Sequence, residues 1–573
     1  MEPVKCRGWA AREAAASAGS ETDLARALGV APLIARILLL RGLDSLEGAR
    51  EFLEGRLADL PDPFLLRGME QAVARLLRAR LKREKIEVHG DYDVDGITGS
   101  ALLVEGLRNL GFEVDYHIPL RLKDGYGLSA EALQAAAAAG VRVVVSVDCG
   151  VSALAEAALA RQLGLDLIIT DHHHPPETLP QACAIINPHQ SGCAFPFKEL
   201  AGVGVAFFLL IGVRKALRDA GCFADQAEFD LRRSLDLVAL GTIADMVPLT
   251  GINRVLTKIG LQLLDKAPRP GIRALKAAAK VDKVNCGTVG FRLAPRLNAA
   301  GRLEDAALGV DLLLSQALAE ASETAEFLDG LNRERQAIEK QALEQAVERL
   351  DSGGEGRERS IVLADSRWHP GVIGIVASRL VERYHRPTVL IALDGGQGKG
   401  SARSIRGFHL YDALCRCQEH LLGFGGHAYA AGLSIDDSRT GAFAEAFEMA
   451  AAQVLSADDL IPRLSHDGEV LLEELDLETV RQLSELTPFG AGNPEPAFVV
   501  TGARVQQASV VGGDHLRFTV RQDGYSLPCI AFGMADRLGQ LAGTVDILCS
   551  PALNEWKGRV DVQLRVRDIR PSA

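Results

Sequence analysis

One short segment of the sequence concentrates side chains that could do chemistry. Residues His89 to Gly96 hold one imidazole and three carboxylates, and they directly follow the short β-like run from Lys85 to Val88. So much negative charge in one loop is unfavourable unless a cation offsets it. The segment therefore predicts a metal site.

Three further polar clusters each close an apolar run. The run Val143–Val147 leads to Asp148-Cys-Gly, Leu167–Thr170 leads to Asp171-His-His-His174, and the run that begins at Leu235 ends at Asp245. We expect these runs to be strands, because open α/β sheets build their sites where a buried strand turns into an exposed loop at the carboxyl edge.

Taken together, these clusters offer the donors that two divalent cations about 3.5 to 4 Å apart require, with one carboxylate able to bridge. The donors are His89, Asp93, Asp95, Asp148, His172 and Asp245. This mixture of nitrogen and oxygen suits Mn²⁺ best, ahead of Mg²⁺ and Zn²⁺. Such a pair of ions activates a bound water and clamps the oxygens of a phosphoryl group.

A plainer interpretation exists for each aspartate alone, since aspartates at strand ends also cap helices and form turns. Four clusters in one domain argue against that interpretation for the whole set, because uncompensated buried carboxylates are costly. The joint pattern predicts a metal-dependent enzyme.

Length and composition set the class of protein. A chain of 573 residues exceeds what one hydrophobic core normally serves, so several domains are expected. The longest apolar stretch, Ala201–Val213, is short of the roughly 20 residues that span a bilayer. Met1–Lys5 lacks the form of a signal peptide. We expect a cytoplasmic protein without a membrane segment.

Charge and cysteine content exclude two other classes. The ten cysteines include no C-x-x-C pair, so neither a disulfide framework nor a structural zinc site is predicted. The net charge of −12 argues against a protein that coats nucleic acid everywhere, but it allows a local basic groove.

Hydrophobic periodicity divides the chain into five parts. Residues 1–82 form a helical lead-in, and residues 83–315 alternate strands and helices as in a parallel sheet. Residues 316–350 form one long connecting helix, and residues 351–458 form a second, smaller α/β domain. Residues 459–573 are short alternating strands that suggest a β-barrel, with an OB-fold as the leading candidate.

The four clusters match, in order, the four motifs of the DHH phosphoesterase superfamily. The resemblance implies that His89, Asp93, Asp95, Asp148, His172 and Asp245 are metal ligands. It also implies that His173 contacts the scissile phosphate or acts as an acid. Asp91 would bind metal through water or support His89, and Asp171 would orient a histidine, with a loop hydrogen bond as the alternative for each.

Further motifs resemble the RecJ family of single-stranded-DNA-specific exonucleases within this superfamily. They are Arg121-Leu-Lys-Asp-Gly-Tyr126-Gly-Leu, Ala201-Gly-Val-Gly-Val-Ala-Phe207, Ala294-Pro-Arg-Leu-Asn-Ala-Ala-Gly-Arg302, Trp368-His-Pro-Gly-Val-Ile-Gly374 and Gly425-Gly-His-Ala-Tyr-Ala-Ala-Gly432. The resemblance implies a DHH catalytic domain, a DHH-associated domain and an OB-fold that binds single-stranded DNA. It also implies 5′ to 3′ hydrolysis to 5′-mononucleotides in DNA repair and recombination. Expected partners are a single-stranded-DNA-binding protein and a helicase, and we expect a monomer.

Several residues are candidate contacts to DNA phosphates. Gly425, Gly426 and His427 resemble the signature of the DHH-associated domain, where glycines let backbone N–H groups approach a phosphate, although a tight turn is the alternative. Arg403 offers a planar guanidinium for bidentate contact. Arg296, Asn298 and Arg302 would lie in a rigid loop that faces the metals, with surface salt bridges as the alternative for the arginines.

Aromatic residues are candidate contacts to bases. Tyr126 would stack on a base or pack under its loop. In the barrel, Phe518 is a candidate platform that could equally be core, and Trp556 lies at a predicted hairpin tip, where we expect it to be exposed. A single DNA strand would pass between the two α/β domains, and the barrel would bind the part of the strand that approaches them.

Two rival functions remain open at this point. One is a DHH phosphodiesterase for short oligoribonucleotides or cyclic dinucleotides, or a pyrophosphatase, although such relatives usually lack the barrel and the 296–302 segment. The other is a catalytically inactive scaffold that only binds DNA, although here every expected aspartate and histidine is present.

Overall fold

The structure is a computed structural model, and it describes residues 8–13, 20–121, 125–225, 227–352 and 358–572. Parts of three segments with predictions lie outside the described residues: 1–5 of the chain start, 122–124 of the motif that contains Tyr126, and 353–357 of the predicted second α/β domain. The described chain forms two compact units, one from 8–10 and 329–464, the other from 11–328 and 465–572.

The described part of the lead-in contains a short strand, four α-helices and two short 3-10 helices. Ser20 and Ser45 begin two of the helices, since each hydroxyl accepts a hydrogen bond from a backbone N–H of the first turn. The elements are β1 (Gly8–Ala11), α1 (Glu21–Leu28), α2 (Pro32–Leu40), α3 (Leu46–Glu54) and α4 (Met69–Lys82). The helical prediction for this region agrees with these elements.

A parallel sheet follows, built from strands that alternate with helices. Its elements are β2 (Ile86–Gly90), α5 (Val94–Asn109), β3 (Val114–His117), α6 (Ala130–Ala138), β4 (Val143–Val147), α7 (Leu154–Gln162), β5 (Asp166–Thr170) and β6 (Ala184–Ile186). The strand order is β3-β2-β4-β5-β6, and all the pairings are parallel. The predicted α/β class is confirmed.

The rest of this domain is helical. Its helices are α8 (Gly202–Asp219), α9 (Leu235–Ala244), α10 (Gly251–Lys266), α11 (Pro270–Ala278), α12 (Cys286–Thr288), a π-helical turn (Val289–Leu293), α13 (Ala294–Leu303) and α14 (Ala307–Leu314). The expectation that the run before Asp245 is a strand is wrong, because this run is α9. Every residue from Leu235 to Ile243 is buried, and an apolar run without alternation suits a buried helix as well as a buried strand.

The long helix predicted over 316–350 is present as α15 (Leu318–Asp351). It leads into a mixed sheet whose order is β10-β11-β9-β8-β7, with only the β7–β8 pair parallel. The elements are β7 (Ile361–Asp365), α16 (Ile373–Tyr384), β8 (Thr388–Asp394), β9 (Gln397–Arg403), α17 (Leu410–Arg416), β10 (Leu421–Gly426), β11 (Ala430–Asp436) and α18 (Thr440–Val454).

The C-terminal region closes into a five-stranded barrel, as predicted. Its elements are β12 (Arg463–His466), α19 (Leu477–Glu485), β13 (Phe498–Val511), β14 (His515–Gln522), β15 (Tyr525–Ala531), β16 (Thr544–Trp556) and β17 (Arg559–Pro571). The barrel order is β13-β14-β15-β17-β16, and β15 and β17 are the parallel pair. Five strands closed in this way are typical of an OB-fold.

The lead-in helices and the barrel share one hydrophobic core. Ile34, Ile37 and Leu38 of α2 belong to the same buried cluster as Leu483 of α19 and Phe498 of β13. The lead-in therefore has a structural role that its sequence did not reveal, since it covers one side of the barrel region.

A buried arginine joins the domain of the parallel sheet to both of these parts. Arg254 of α10 donates to the carbonyls of Phe52 (2.8 Å), Leu486 (2.8 Å) and Glu485 (3.0 Å). Burial and the nearby charge of Arg41 lower the pKa of Arg254 to about 10. Because these acceptors are backbone atoms, the position of the barrel region relative to α10 is fixed by main-chain geometry.

Candidate metal centre

The parallel sheet brings three of the polar clusters to one edge. Gly90, Val147 and Thr170 are register partners across β2, β4 and β5, so the residues that follow them emerge side by side. The backbone N–H of Asp91 donates to the carbonyl of Val147 (3.3 Å), and that of Asp148 donates to Thr170 (3.0 Å). The strand-end argument from the sequence holds for these clusters.

Two helices complete the edge. Asp93 precedes α5 as its N-cap, and its carboxylate accepts hydrogen bonds from the N–H groups of Asp95 (2.9 Å) and Gly96 (3.2 Å). Asp245 ends α9 as its C-cap. The fourth cluster therefore reaches the same place from a buried helix.

The side chains form three overlapping groups. Within each group, the donor atoms lie within 4.8 Å of one another. The distances from His172 Nε2 are 3.1 Å to Asp148 Oδ1, 3.6 Å to Asp245 Oδ2 and 4.0 Å to Asp95 Oδ2. The groups are Asp91, Asp93 and Asp148; Asp95, His172 and Asp245; and Asp148, His172 and His173. Asp148 belongs to the first and the third, as a bridging carboxylate would.

Several donor atoms of this cluster are buried without a hydrogen-bond partner in the described part of the chain. They are Asp91 Oδ1, Asp148 Oδ1, His172 Nε2 and Asp245 Oδ2, and Nδ1 of the neighbouring His89 is also buried without a partner. Buried polar atoms normally have hydrogen-bond partners, so these unpartnered atoms, which lie close together, suggest a site for a ligand. Divalent cations that accept oxygen and imidazole nitrogen fit this donor set.

The electrostatics agree with a cationic ligand. Burial and the charge of Asp93 raise the pKa of Asp91 to about 8 and that of Asp245 to about 6. Burial and neighbouring carboxylates also raise the pKa of Asp95 and Asp148 well above the ordinary range. Burial and the charge of His173 lower the pKa of His172 to about 4, which keeps its ring neutral and able to bind a metal. A cation would relieve the repulsion among the carboxylates.

Asp91, rather than His89, shares a donor group with Asp93 and Asp148. His89 is absent from all three donor groups, and its Nε2 lies 2.7 Å from Glu87 Oε2. The two side chains share one face of β2, two residues apart, which brings the imidazole to the carboxylate. The buried Nδ1 of His89 has no hydrogen-bond partner in the described part of the chain, so metal binding by His89 stays a prediction, as does the role of Asp91 beside it.

Asp171 holds His173 in place, as one of the predictions proposed. Its Oδ1 accepts hydrogen bonds from His173 Nδ1 (2.7 Å) and from the backbone N–H of His172 (2.7 Å), and its Oδ2 accepts from Val151 N–H (2.9 Å). Burial alone would lower the pKa of His173, but Asp171 outweighs it and raises the pKa to about 9. The Asp171 carboxylate thus favours the protonated form of the His173 imidazole.

Tyr126 also contacts this part of the site. Its hydroxyl donates to the carbonyl of Asp148 (2.9 Å) and lies 3.3 Å from His173 Nδ1. Its ring meets that of His173 edge to face, with centroids 6.0 Å apart. These contacts assign Tyr126 a local positioning role that neither of the predicted alternatives described.

The sequence reasoning missed how Asp95 is held. The N–H groups of Gly202 and Val203, at the start of α8, donate to the two oxygens of Asp95 at 2.6 and 2.9 Å. A Cβ on Gly202 would lie 2.7 Å from the Cβ of Asp148, so only glycine fits. The glycines of the Ala201–Phe207 motif were the available signal, because glycine permits close approach of backbone to a site.

The segment with Arg296, Asn298 and Arg302 is helix α13, so the expectation of a rigid loop is wrong. Pro295 did not prevent a helix, because proline is tolerated in the first turn. A Cβ on Gly301 would lie 2.6 Å from the carbonyl of Tyr92, so α13 packs closely against the first polar cluster. Asn298 and Arg302 are half-buried on this helix.

Comparisons with known proteins agree with the site. The sequence profile of the N-terminal domain of the DHH family matches residues 85–242, that of the DHHA1 domain matches 358–455, and that of the RecJ OB domain matches 466–568. The single-stranded-DNA-specific exonuclease RecJ of Dickeya dadantii is 43% identical over 554 residues, which cover 93% of this chain and 96% of that protein. The chain belongs to the RecJ family.

Other members of the RecJ family give the same result. The RecJ of Bacillus subtilis is 39% identical over 96% of this chain and 69% of its own length. The crystal structure of RecJ from Thermus thermophilus in complex with Mn²⁺ superposes with a TM-score of 0.82 at 34% identity, over 97% of this chain and 78% of that one. A structure of the same protein with Mg²⁺ superposes with a TM-score of 0.75. The metals named for these relatives are the two ranked highest from the donor set.

The unit that matches the DHHA1 domain contains a second group of predicted residues. Arg403 donates to the carbonyl of Ala402 (2.8 Å) and to Ser401 Oγ (3.2 Å), and a Cβ on Gly374 would lie 3.0 Å from its guanidinium. The start of α16 and the end of β9 are thus in close contact. This arrangement leaves a guanidinium, a hydroxyl and a helix start in one place, which suits a phosphate.

Two neighbouring glycines of the same unit, Gly425 and Gly426, differ in whether the local backbone requires glycine. Gly426 has a φ of 143°, and a Cβ there would lie 2.5 Å from the carbonyl of Ala430, so the turn between β10 and β11 requires glycine. His427 N–H donates to that carbonyl (2.8 Å). A Cβ on Gly425 would meet nothing within 4 Å, so the turn does not explain this glycine.

The two aromatic predictions in the region matched by the RecJ OB domain have opposite outcomes. Phe518 is buried in the barrel core, so the expectation that it stacks on a base is wrong. It alternates with exposed Arg517 and half-buried Thr519 on β14, and the alternation turns it inward. Trp556 is 71% exposed at the end of β16 and remains a candidate contact.

A groove of about 960 Å³ lies elsewhere in the same unit, between α10 and the barrel region. It is lined by Leu261 and Gln262 of α10 and by Arg565 and Arg567 of β17, among others. Both arginines pair with Glu495. None of the metal-binding candidates lines this groove, so it is not where the chemistry takes place.

Proposed function

We propose that the chain is a metal-dependent exonuclease that hydrolyses the phosphodiester bonds of single-stranded DNA. The observation that carries the proposal is the meeting of three donor groups at one sheet edge, with His173 beside them, in a chain of the RecJ family. Four buried donor atoms without partners distinguish a metal centre from a set of capping aspartates.

Two Mn²⁺ or Mg²⁺ ions are the proposed cofactors. Asp91, Asp93 and Asp148 would hold one ion, and Asp95, His172 and Asp245 would hold the other, with Asp148 shared. When bound, such ions lower the pKa of a water and stabilise the charge on a phosphoryl group.

The protein's own groups have distinct tasks in this proposal. His173, whose protonated form the hydrogen bond to Asp171 favours, would hydrogen-bond to a phosphate oxygen or protonate the leaving oxygen. Asp171 and Tyr126 hold that imidazole in one orientation. The hydrogen bonds from the start of α8 hold Asp95 so that it cannot move away when the substrate leaves.

Cationic and glycine-rich segments are proposed to hold the DNA backbone without reading its sequence. They are Arg296, Asn298 and Arg302 on α13, and Arg403, Gly425, Gly426 and His427 in the other unit. Trp556 would stack on a base of the strand. The 5′ to 3′ direction and release of 5′-mononucleotides are part of the proposal through the resemblance to the family.

The rival functions fit less well. A phosphodiesterase for short oligonucleotides does not need the closed barrel, which here shares a core with the lead-in helices. An inactive scaffold would not need four buried donor atoms in one cluster.

Biological context is also a proposal. We infer a role in DNA repair and recombination with a single-stranded-DNA-binding protein and a helicase as partners, and a monomer located in the cytoplasm. In the described part of the chain, no helix is long and apolar enough to cross a membrane.

Digestion of end-labelled DNA tests the proposal. Single-stranded oligonucleotides labelled at either end should be degraded from the 5′ end to mononucleotides in Mn²⁺, and blunt duplexes should resist. Degradation of duplex and single strand at equal rates would contradict strand specificity, and cleavage of dinucleotides alone would favour the phosphodiesterase.

A further inference from the structure

We propose that Met246 forms an apolar contact surface for the base of the nucleotide whose phosphate lies on the metal centre. This inference rests on the proposed function. It concerns a residue next to a candidate ligand that sequence reasoning did not single out. Three observations carry it: the exposure of Met246, its backbone conformation and the way its loop is held.

The first observation is exposure at the metal centre. Met246 directly follows Asp245, whose carboxylate lies 3.6 Å from His172 Nε2. Consecutive Cα atoms are about 3.8 Å apart, so the side chain begins at the rim of the cluster. Nevertheless, 76% of its surface is exposed, although α9 before it is buried from Leu235 to Ile243. A large apolar side chain left in solvent there has no packing role.

The second observation is backbone strain. Met246 has a φ of 64°, at the position after a helix end that glycine usually occupies. A Cβ makes this conformation unfavourable, and Met246 is the only large apolar side chain among the described non-glycine residues with positive φ. A methionine at a position where glycine would carry no strain suggests a use for its side chain.

The third observation is that the loop is fixed at both ends. Asp245 N–H donates to the carbonyl of Gly241 (2.9 Å), and Leu249 N–H donates to that of Ala491 (2.7 Å), next to the barrel. Asn253 Nδ2 donates to the carbonyl of Pro248 (3.1 Å). Met246 thus lies on a short bridge between the metal centre and the barrel region, where a strand held by both would pass.

The chemistry of methionine suits such a contact. Its unbranched, polarizable side chain adapts to surfaces of different shape, so it can pack on any of the four bases. This matches an enzyme that must accept every sequence. Contact with the base, rather than with the phosphate, follows from the absence of charge and of hydrogen-bond donors on the side chain.

The experiment compares Met246→Gly and Met246→Leu with the wild-type enzyme in Mn²⁺. Met246→Gly should be at least as stable to urea, because glycine relieves the strained φ, yet its KM for a single-stranded oligonucleotide should rise about fivefold with kcat nearly unchanged. Met246→Leu keeps an apolar side chain and should stay within about twofold of the wild-type KM.

A second substrate separates base contact from any other effect. On an oligonucleotide whose first two nucleotides are abasic, wild type and Met246→Gly should have equal KM values. An unchanged KM for Met246→Gly on the normal oligonucleotide, or the same increase on both substrates, would overturn the inference. Failure of the proposed function is distinguishable, because the wild-type enzyme would then degrade neither oligonucleotide.

Discussion

The metal centre and the outer face of the barrel differ in how firmly the fold holds their side chains. Asp95, Asp148 and Asp171 are each at most 2% exposed and are held by backbone contacts. Trp556 is 71% exposed at a hairpin tip. The first region is built for fixed geometry, and the second is accessible to a flexible strand.

The two regions also differ in how well their charged and polar groups are solvated. Burial, together with the charges of neighbouring carboxylates, raises the pKa of Asp95 and Asp148, and a bound cation would offset both effects. Exposed groups on the barrel are already solvated, and their contacts with DNA replace contacts with water. Changes at the metal centre should therefore alter chemistry by orders of magnitude, and changes on the barrel should alter binding by small factors.

Removal of the metal should have the largest effect. We expect EDTA to abolish turnover and lower the melting temperature, since the carboxylates lose their counter-cation, and Mn²⁺ should restore both better than Zn²⁺. Bound metal at about 100 times its Kd adds about 2.7 kcal/mol of stability. Calorimetric melting and single-strand digestion measure the two effects. Full turnover after thorough chelation would contradict a metal mechanism.

Asp148→Asn should lower turnover by at least about a thousandfold, the scale on which removal of a preorganised electrostatic group reduces kcat. Asparagine is the better substitution because Asp148 has a φ of 61°, which asparagine tolerates well. DNA binding should persist, since fewer negative charges face the phosphate.

The matched control for this variant is Asp115→Asn, on strand β3 of the same sheet, where the carboxylate is exposed. Its turnover and melting temperature should remain at wild-type values. Near-normal turnover in Asp148→Asn, with the fold intact by circular dichroism, would exclude a bridging role for Asp148.

Asp171→Asn should have an intermediate effect. The ion pair that keeps His173 protonated and oriented would be weakened, and we expect turnover to fall about a hundredfold, at the lower end of the range for acid–base groups. Affinity for single-stranded DNA, measured by fluorescence anisotropy, should change little. A loss of affinity with unchanged turnover would assign Asp171 to binding instead.

Trp556→Ala should have the smallest effect. Base stacking contributes about 1 to 3 kcal/mol, so affinity for a long single strand should fall about tenfold while turnover of short oligonucleotides stays constant. Tyr525, exposed on the same barrel, is the control position for loss of an aromatic side chain. Equal losses in Trp556→Ala and Tyr525→Ala would argue against a specific platform at the hairpin tip.

Phe518→Ala sharpens the contrast within the barrel. Since Phe518 is buried, its truncation should reduce the free energy of unfolding by about 3 to 5 kcal/mol. At a temperature where the variant is folded, its affinity for DNA should match wild type. Reduced affinity in the folded variant would restore Phe518 as a DNA contact.

The sequence predicted the metal centre well because residue type and position are strongly constrained there. Clusters of aspartate and histidine after apolar runs left few alternatives, and parallel pairing brought Asp91, Asp148 and Asp171 to one edge. The alternation of β14 indicated a barrel strand in the same way.

The features that the sequence did not predict depend on three-dimensional packing. The buried run before Asp245 has no period that separates helix from strand. Nothing in the order of residues shows that Glu87 engages His89, that Gly202 contacts Asp148 or that the lead-in helices complete the barrel core. Such contacts join residues that are distant in the sequence or differ only in side-chain direction.

Titration of metal-free protein with Mn²⁺ by calorimetry tests the central claim most directly. The account predicts that wild type binds two Mn²⁺ ions per chain and that Asp148→Asn, which removes the shared carboxylate, loses at least one of them. Absence of Mn²⁺ binding by wild type, or two unaltered sites in Asp148→Asn, would contradict the claim that this cluster is a two-metal centre.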